Sequence, residues 1–320
     1  MPIVLGLAAL GGKQVILVLG KGGVGRTTVA AALALALARR GRRTLLFQSS
    51  ANDRLAQLLG RPKIGADIVR VAPNLSAVNT NPDDALREYG IMVLKFETVY
   101  KMVLENRLVK GLIRAIPGLD DYSVIGKLWF HTTELEDGRP RFDTIVFDAP
   151  ATGHAATMLR IPGVILETVP DGPLKRDAGK VRAMLTDPAR TAAVLVTLAE
   201  EMPAAETVDL GTRIAALRIP LAGRIVNQLY PDRFTGSTPA GQVLAALGLD
   251  QSADPSIAGA VACARLIAAR RRLNEEYLAR LAATLGGDEA RLPRLFGSSI
   301  GPAETDRLSI LLDDQLRGVA

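Results

Sequence analysis

Cysteine is nearly absent from this sequence: Cys263 is the single thiol among 320 residues. One thiol cannot build a disulfide framework within the chain, nor a cysteine-based zinc or metalloid cluster. Histidine is almost as scarce, with His131 and His154 only, too few for a histidine-rich metal site. Aromatic residues make up 4% of the chain, which argues against a base-stacking platform for single-stranded nucleic acid. No run reaches the roughly 20 apolar residues that a membrane span needs. Met1–Leu10 is apolar but short, and no basic residue precedes it, so the expectation is a cytoplasmic protein without a secretory signal. There is no internal repeat and no low-complexity tract.

What is present is an ordinary globular composition, 48% hydrophobic and 22% charged, long enough for a sizeable core. The net charge of +6 suits phosphates, nucleic acid or an anionic membrane face. Most of that charge is scattered arginine. The densest cluster, Arg270-Arg271-Arg272, runs into Asn274-Glu275-Glu276, and i,i+4 pairing on a solvated helix face accounts for it without nucleic acid. No specific nucleic-acid partner is expected.

Gln14–Leu19 is a continuous apolar run, as a strand buried on both faces should be. A glycine-rich turn follows, then the Ala/Leu-rich helix Thr27–Arg40, stopped by Gly41. Further strands are predicted at Thr44–Phe47, Ile68–Val71, Leu75–Val78, Phe142–Phe147, Ala192–Leu198 and Leu221–Val226. Helices are predicted at Ala155–Leu166, Leu174–Leu185, Arg265–Leu285 and Glu304–Leu316. The alternation points to an α/β fold with a doubly wound, mostly parallel sheet, one domain over residues 1–320. Residues 82–135 and 155–190 lack strand pattern and are expected to form a helical subdomain inserted in it. Within it, Tyr89–Leu104 is apolar over more than one helical face; it reads as a buried helix or as a Met-rich groove for a hydrophobic helical client. The C-terminal helix has no cationic flank of the kind a membrane-binding amphipathic helix requires.

Gly20-Lys21-Gly22-Gly23-Val24-Gly25-Arg26-Thr27-Thr28 lies between a predicted strand and a predicted helix, the context of a phosphate-binding loop. Glycines let the backbone curl so that successive N–H groups face phosphate oxygens, and the helix adds its N-terminal partial charge. Thr27 stands where a hydroxyl ligates Mg²⁺, and Thr28 can reach an α-phosphate. Phe142–Phe147 ends in Asp148, a carboxylate placed to approach the Mg²⁺ and its waters. ATP or ADP with Mg²⁺ is the expected ligand.

This loop resembles the deviant Walker A motif of the MinD/ParA and ArsA-type ATPases, with Lys21 as their extra lysine. That resemblance implies a dimer in which Lys21 reaches the partner's phosphates. Pro150-Ala151-Thr152-Gly153-His154 is similar to the switch II of the ArsA arsenite-pump ATPase and the tail-anchored-protein targeting ATPase, which MinD and ParA lack. Arg160-Ile161-Pro162, Val196–Pro203 and Val226-Asn227-Gln228 look like segments of the same branch. By that resemblance Asn227 reads the adenine, and the stretch Leu292-Pro293-Arg294-Leu295 covers the base.

The chain also departs from the pattern. Arg26 replaces the P-loop lysine; it keeps the charge but is longer and planar. Ser50 stands where the family's switch I aspartate activates water, and a serine is no general base unaided. Asp53 either reaches in to replace that aspartate or caps the next helix. No cysteine pair follows Gln228, so neither bound zinc nor a metalloid is expected. Cys263 is expected to be a small buried hydrophobe. The resulting expectation is an ArsA-like ATPase that couples nucleotide state to a dimeric switch and a partner protein, with Arg26 and Ser50 impairing hydrolysis. The alternatives are a pseudo-ATPase regulatory subunit paired with an active paralogue, a ParA/MinD-like positioning ATPase and, more distantly, a dethiobiotin-synthetase-like ligase.

Overall fold

The computed structural model describes residues 5–50, 53–81, 84–85, 119–236, 238–246, 255–297 and 299–317. The apolar runs form strands β1 (Val15–Gly20), β2 (Thr44–Ser49), β3 (Val69–Ala72) and β4 (Leu75–Thr80). A two-stranded hairpin, β5 (Leu135–Glu136) and β6 (Arg139–Pro140), stands apart. β7 (Thr144–Asp148), β8 (Thr191–Leu198), β9 (Leu221–Leu229) and β10 (Glu289–Pro293) complete the main sheet. Its eight strands run in the order β10-β9-β8-β1-β7-β2-β4-β3, all parallel except β3, which pairs antiparallel with β4. The expected doubly wound, mostly parallel sheet is therefore present.

The helices are α1 (Arg26–Arg39), α2 (Arg54–Leu58), α3 (Leu119–His131), α4 (Thr152–Thr168), α5 (Pro173–Thr186), α6 (Glu201–Ala216), α7 (Pro239–Ala246), α8 (Pro255–Leu285) and α9 (Pro302–Arg317). Side chains alternate across the central strands. Ile16, Val18, Leu46, Val146 and Val194 face a layer built from α1, α2 and α9. Val15, Leu17, Phe47, Ile145 and Phe147 face the other layer, built from α3, α4, α5 and α6. Burial on both faces is why these strands read as continuous apolar runs rather than as alternating ones.

Alanines set the spacing of the first layer. Ala30, Ala31, Ala32, Ala34, Ala36 and Ala38 of α1 are all buried, so neighbouring backbones approach it closely. α9 lies along it through Leu308, Leu312 and Leu316, and Arg40 pairs with Asp313 at its end. The apolar N-terminal stretch is packed from Leu7 on: Leu7–Gly12 is a 3₁₀ helix with Leu7 and Leu10 buried.

α8 starts at Pro255, earlier than the predicted Arg265, and this changes the reading of Cys263. The thiol is exposed, and from residue 258 on the first buried residue of α8 is Ala268. α6, β10 and the β5–β6 hairpin were not anticipated. The apolar stretch Tyr89–Leu104 lies outside the described residues.

Candidate nucleotide site

Everything needed for a phosphate cradle meets at the carboxyl ends of β1, β7 and β2, where open parallel sheets bind ligands. β1 delivers the loop, and its last residue must be glycine: a Cβ on Gly20 would stand 2.3 Å from the Val196 carbonyl oxygen. Gly23 and Gly25 take φ of +89° and +82°, a region that L side chains rarely adopt. Gly25 is also the N-cap of α1 and offers no side-chain cap, so the helix terminus is left for an external anion. Gly22 passes beside Ala151, immediately before Thr152 of α4. The loop thus runs alongside the segment that resembles switch II.

The loop opens on a cavity of about 660 Å³. Lys21, Arg26, Arg54 and Arg294 line it, with Thr27, Thr28, Gln57, Asn227 and Gln228, and no carboxylate is among the described lining residues. A wall that carries four cations and no carboxylate favours polyanions, with Lys21 and Arg26 each paired to an acid set outside that wall, Glu206 and Asp148. Pro293, Leu295, Ile300 and Leu308 supply an apolar wall. Asn227 is buried and its Nδ2 donates to the Val24 carbonyl at 2.9 Å, tying β9 to the loop. Arg294 donates to the Gln228 side-chain oxygen at 3.2 Å and stacks on Tyr230.

Asp148 is 2% exposed and lies behind this cavity, not on its wall. The β2–β7 register sets Gln48 opposite it. Asp148 Oδ2 accepts from Thr27 Oγ1 at 2.7 Å and from Gln48 Nε2 at 2.6 Å. Its Oδ1 accepts from Arg26 Nε at 3.1 Å, and Arg26 Nη1 donates to the Gly20 carbonyl at 2.7 Å. Gln48 Oε1 is buried without a hydrogen-bond partner. A hydroxyl, a carboxylate and an orphaned carbonyl oxygen form an all-oxygen donor set of the kind Mg²⁺ and its waters require, so the residues fit that ion once Arg26 is off Asp148.

Lys21 pairs with Glu206 of α6 in its own chain. Ser50 is the first residue past β2, and its N–H donates to Asn79 Oδ1 at 3.1 Å. Asp53 is the N-cap of α2: its oxygens accept from Ala56 N at 3.3 Å and from Ile64 N at 3.0 Å. Both oxygens are thus used in holding the turn. Thr152 opens α4 and Gly153 follows exposed; His154 Nε2 pairs with Asp121 Oδ1 of α3 at 2.8 Å. Arg270 and Arg272 are exposed, whereas Arg271 is partly buried: it pairs with Glu275 at 3.0 Å and its Nη1 donates to the Tyr230 carbonyl at 3.1 Å.

Arg54, Gln57 and Gln48 were not anticipated at the site. Gln48 carries a signal in retrospect, as the polar residue in the otherwise apolar run Leu45-Leu46-Phe47-Gln48. Arg54 and Gln57 sit on a short helix whose approach to the loop depends on the tertiary fold.

A glycine-rich loop between a central parallel strand and its helix, beside a strand-end aspartate, defines a P-loop nucleotide-binding fold. The model of the anion-transporting ATPase family matches residues 13–170 and 173–242, and the chain belongs to that family. It is 31% identical over 228 residues to ATPase BagA of Mycobacterium tuberculosis, covering 69% of this chain and 67% of that protein. It is 29% identical over 232 residues to an arsenical pump-driving ATPase of Acidiphilium multivorum, covering 67% of this chain and 39% of that one. It is 27% identical over 250 residues to ATPase GET3 of Kluyveromyces lactis, covering 67% and 71%. Membership places the chain among ATP-binding ATPases. Among the described residues, no helix is long and apolar enough to cross a membrane.

Proposed function

We propose that the chain binds ATP and ADP at the Gly20–Thr28 loop, works as a dimer or beside a related ATPase, and hydrolyses ATP slowly when alone. The observation that carries the reading is the cavity: Lys21, Arg26, Arg54 and Arg294 converge on an uncapped helix N terminus with no acid among the described lining residues. In this reading the loop backbone, Thr28 and Arg54 hold the phosphates. Asn227 faces the base, and the Pro293–Leu295 turn covers it. Mg²⁺, when bound by Thr27 and Asp148, would offset charge on the phosphates. The resemblance supports a dimer in which Lys21 leaves Glu206 for a neighbouring subunit's site, and a switch II, Thr152–His154, that reports nucleotide state to a client near residues 82–135 and 155–190.

Two observations support slow turnover. Asp53 is tied into the α2 cap, and Ser50 at the end of β2 has no carboxylate to orient water. Loss of a general base costs about 10²–10⁴ in rate. The same observations favour a second reading, a regulatory subunit that needs an active paralogue. Fluorescent ADP titrated into the purified chain tests the site itself. Saturable binding, displaced by ATP and not by AMP, is expected; failure to bind either nucleotide would end the proposal.

A further inference from the structure

The arginine in the loop does not lie where a P-loop cation is most useful to a phosphate. Its Nε points back to Asp148 and its Nη1 to the Gly20 carbonyl, at 3.1 and 2.7 Å. Asp148 is a buried carboxylate, and a buried charge persists only with a compensating partner. Here the compensation is internal. Arg26 supplies the positive charge at Oδ1, while Thr27 and Gln48 both donate to Oδ2. Arg26 lines the cavity and Asp148 does not, so the charge that this pair presents to the cavity is the arginine's. A lysine could not span this arrangement in the same way. Its ammonium is one compact charge, whereas the planar fork grips a carboxylate and a carbonyl at once.

Building on the nucleotide site proposed above, we propose that Arg26 is the resident counter-ion of this site, standing in for the divalent cation. Nucleotide enters a pocket that is already charge-balanced at Asp148, so its affinity does not depend on Mg²⁺. A divalent ion reaches Asp148 only by displacing Arg26 from it, beside the Gln48 Oε1 that has no hydrogen-bond partner in the protein. The site therefore discriminates against free divalent ions through a residue of its own phosphate loop.

Calorimetric titration of ADP with excess Mg²⁺ and with EDTA, on the wild-type chain and on Arg26→Lys, tests this. The wild type should change affinity by less than about fivefold between the two buffers, and Arg26→Lys by about tenfold or more. In parallel, electron paramagnetic resonance should detect no Mn²⁺ uptake by the nucleotide-free wild type. Arg26→Gln, which leaves Asp148 uncompensated, should take up Mn²⁺. A wild-type affinity that falls about tenfold or more in EDTA would overturn the inference and leave the nucleotide site standing. Equal Mn²⁺ uptake by wild type and Arg26→Gln would do the same. Absence of ADP binding in both buffers would remove the site and the inference together. Should Arg26→Gln fail to fold, the titrations of wild type and Arg26→Lys still decide.

Discussion

Gly25 concentrates several constraints in one residue. Its φ of +82° is unfavourable for a side chain, and a Cβ there would stand 2.4 Å from Asn227 Nδ2, in the bond that fixes the loop to β9. Gly25→Ala should therefore cost about 1–3 kcal/mol of stability from backbone strain, with the displaced Asn227 adding to it. It should also weaken ADP binding by about tenfold or more, since loop N–H groups act only when precisely aimed. Denaturant melts and a nucleotide titration check both parts, and an unchanged affinity would show that the loop is not the site. The loop itself was legible in the sequence because glycine spacing encodes a backbone shape directly. The partners of its charged residues were not. That Arg26 turns to Asp148, that Lys21 rests on Glu206 and that Asp53 caps α2 depend on which side chains the fold brings within reach.

At the scale of elements, the strands were readable because burial on both faces leaves a run of Val, Ile, Leu and Phe. Ends and short pieces were less so: β10 is five residues with charges at 289 and 291, and α6 carries Pro203 in its first turn. α8 carries too little apolar periodicity to mark where it begins. Arg43 and Asp143 show how neighbouring elements are joined at their starts. Arg43 Nη2 donates to Asp143 Oδ1 at 2.7 Å and its backbone N–H to Oδ2 at 2.9 Å, tying the approach to β2 to that of β7. The Arg43 side chain holds the Asp143 carboxyl below its usual range, against a smaller opposing effect of burial. A lowered folded-state value means that the contribution to stability is present above the unfolded value of about 3.9 and is lost as pH falls through the folded one. Asp143→Asn should therefore destabilise at pH 7, and the gap to wild type should close as the pH falls into and below the ordinary carboxylate range. Urea melts across that range check this, and a gap that does not change with pH would show that the pair adds nothing through charge.

For the whole molecule, the two helical layers hold the loop and the segment after β7 from opposite faces of the sheet. α1 is clamped by α9 on one face of the sheet, while α4, which follows Asp148, packs among α3, α5 and α6 on the other. The same layer holds His154 and its Asp121 partner on α3. In the function proposed above, the molecule binds nucleotide well and hydrolyses it poorly, with Ser50 and Arg26 at the positions that govern water and cation. The most direct test is ATP hydrolysis by the purified chain with Mg²⁺ at saturating nucleotide, beside Ser50→Asp and the double change with Arg26→Lys. Saturable binding with little turnover is expected in the wild type, and a rise of about 10²-fold or more in the double variant. Wild-type turnover as fast as that of the double variant would contradict it.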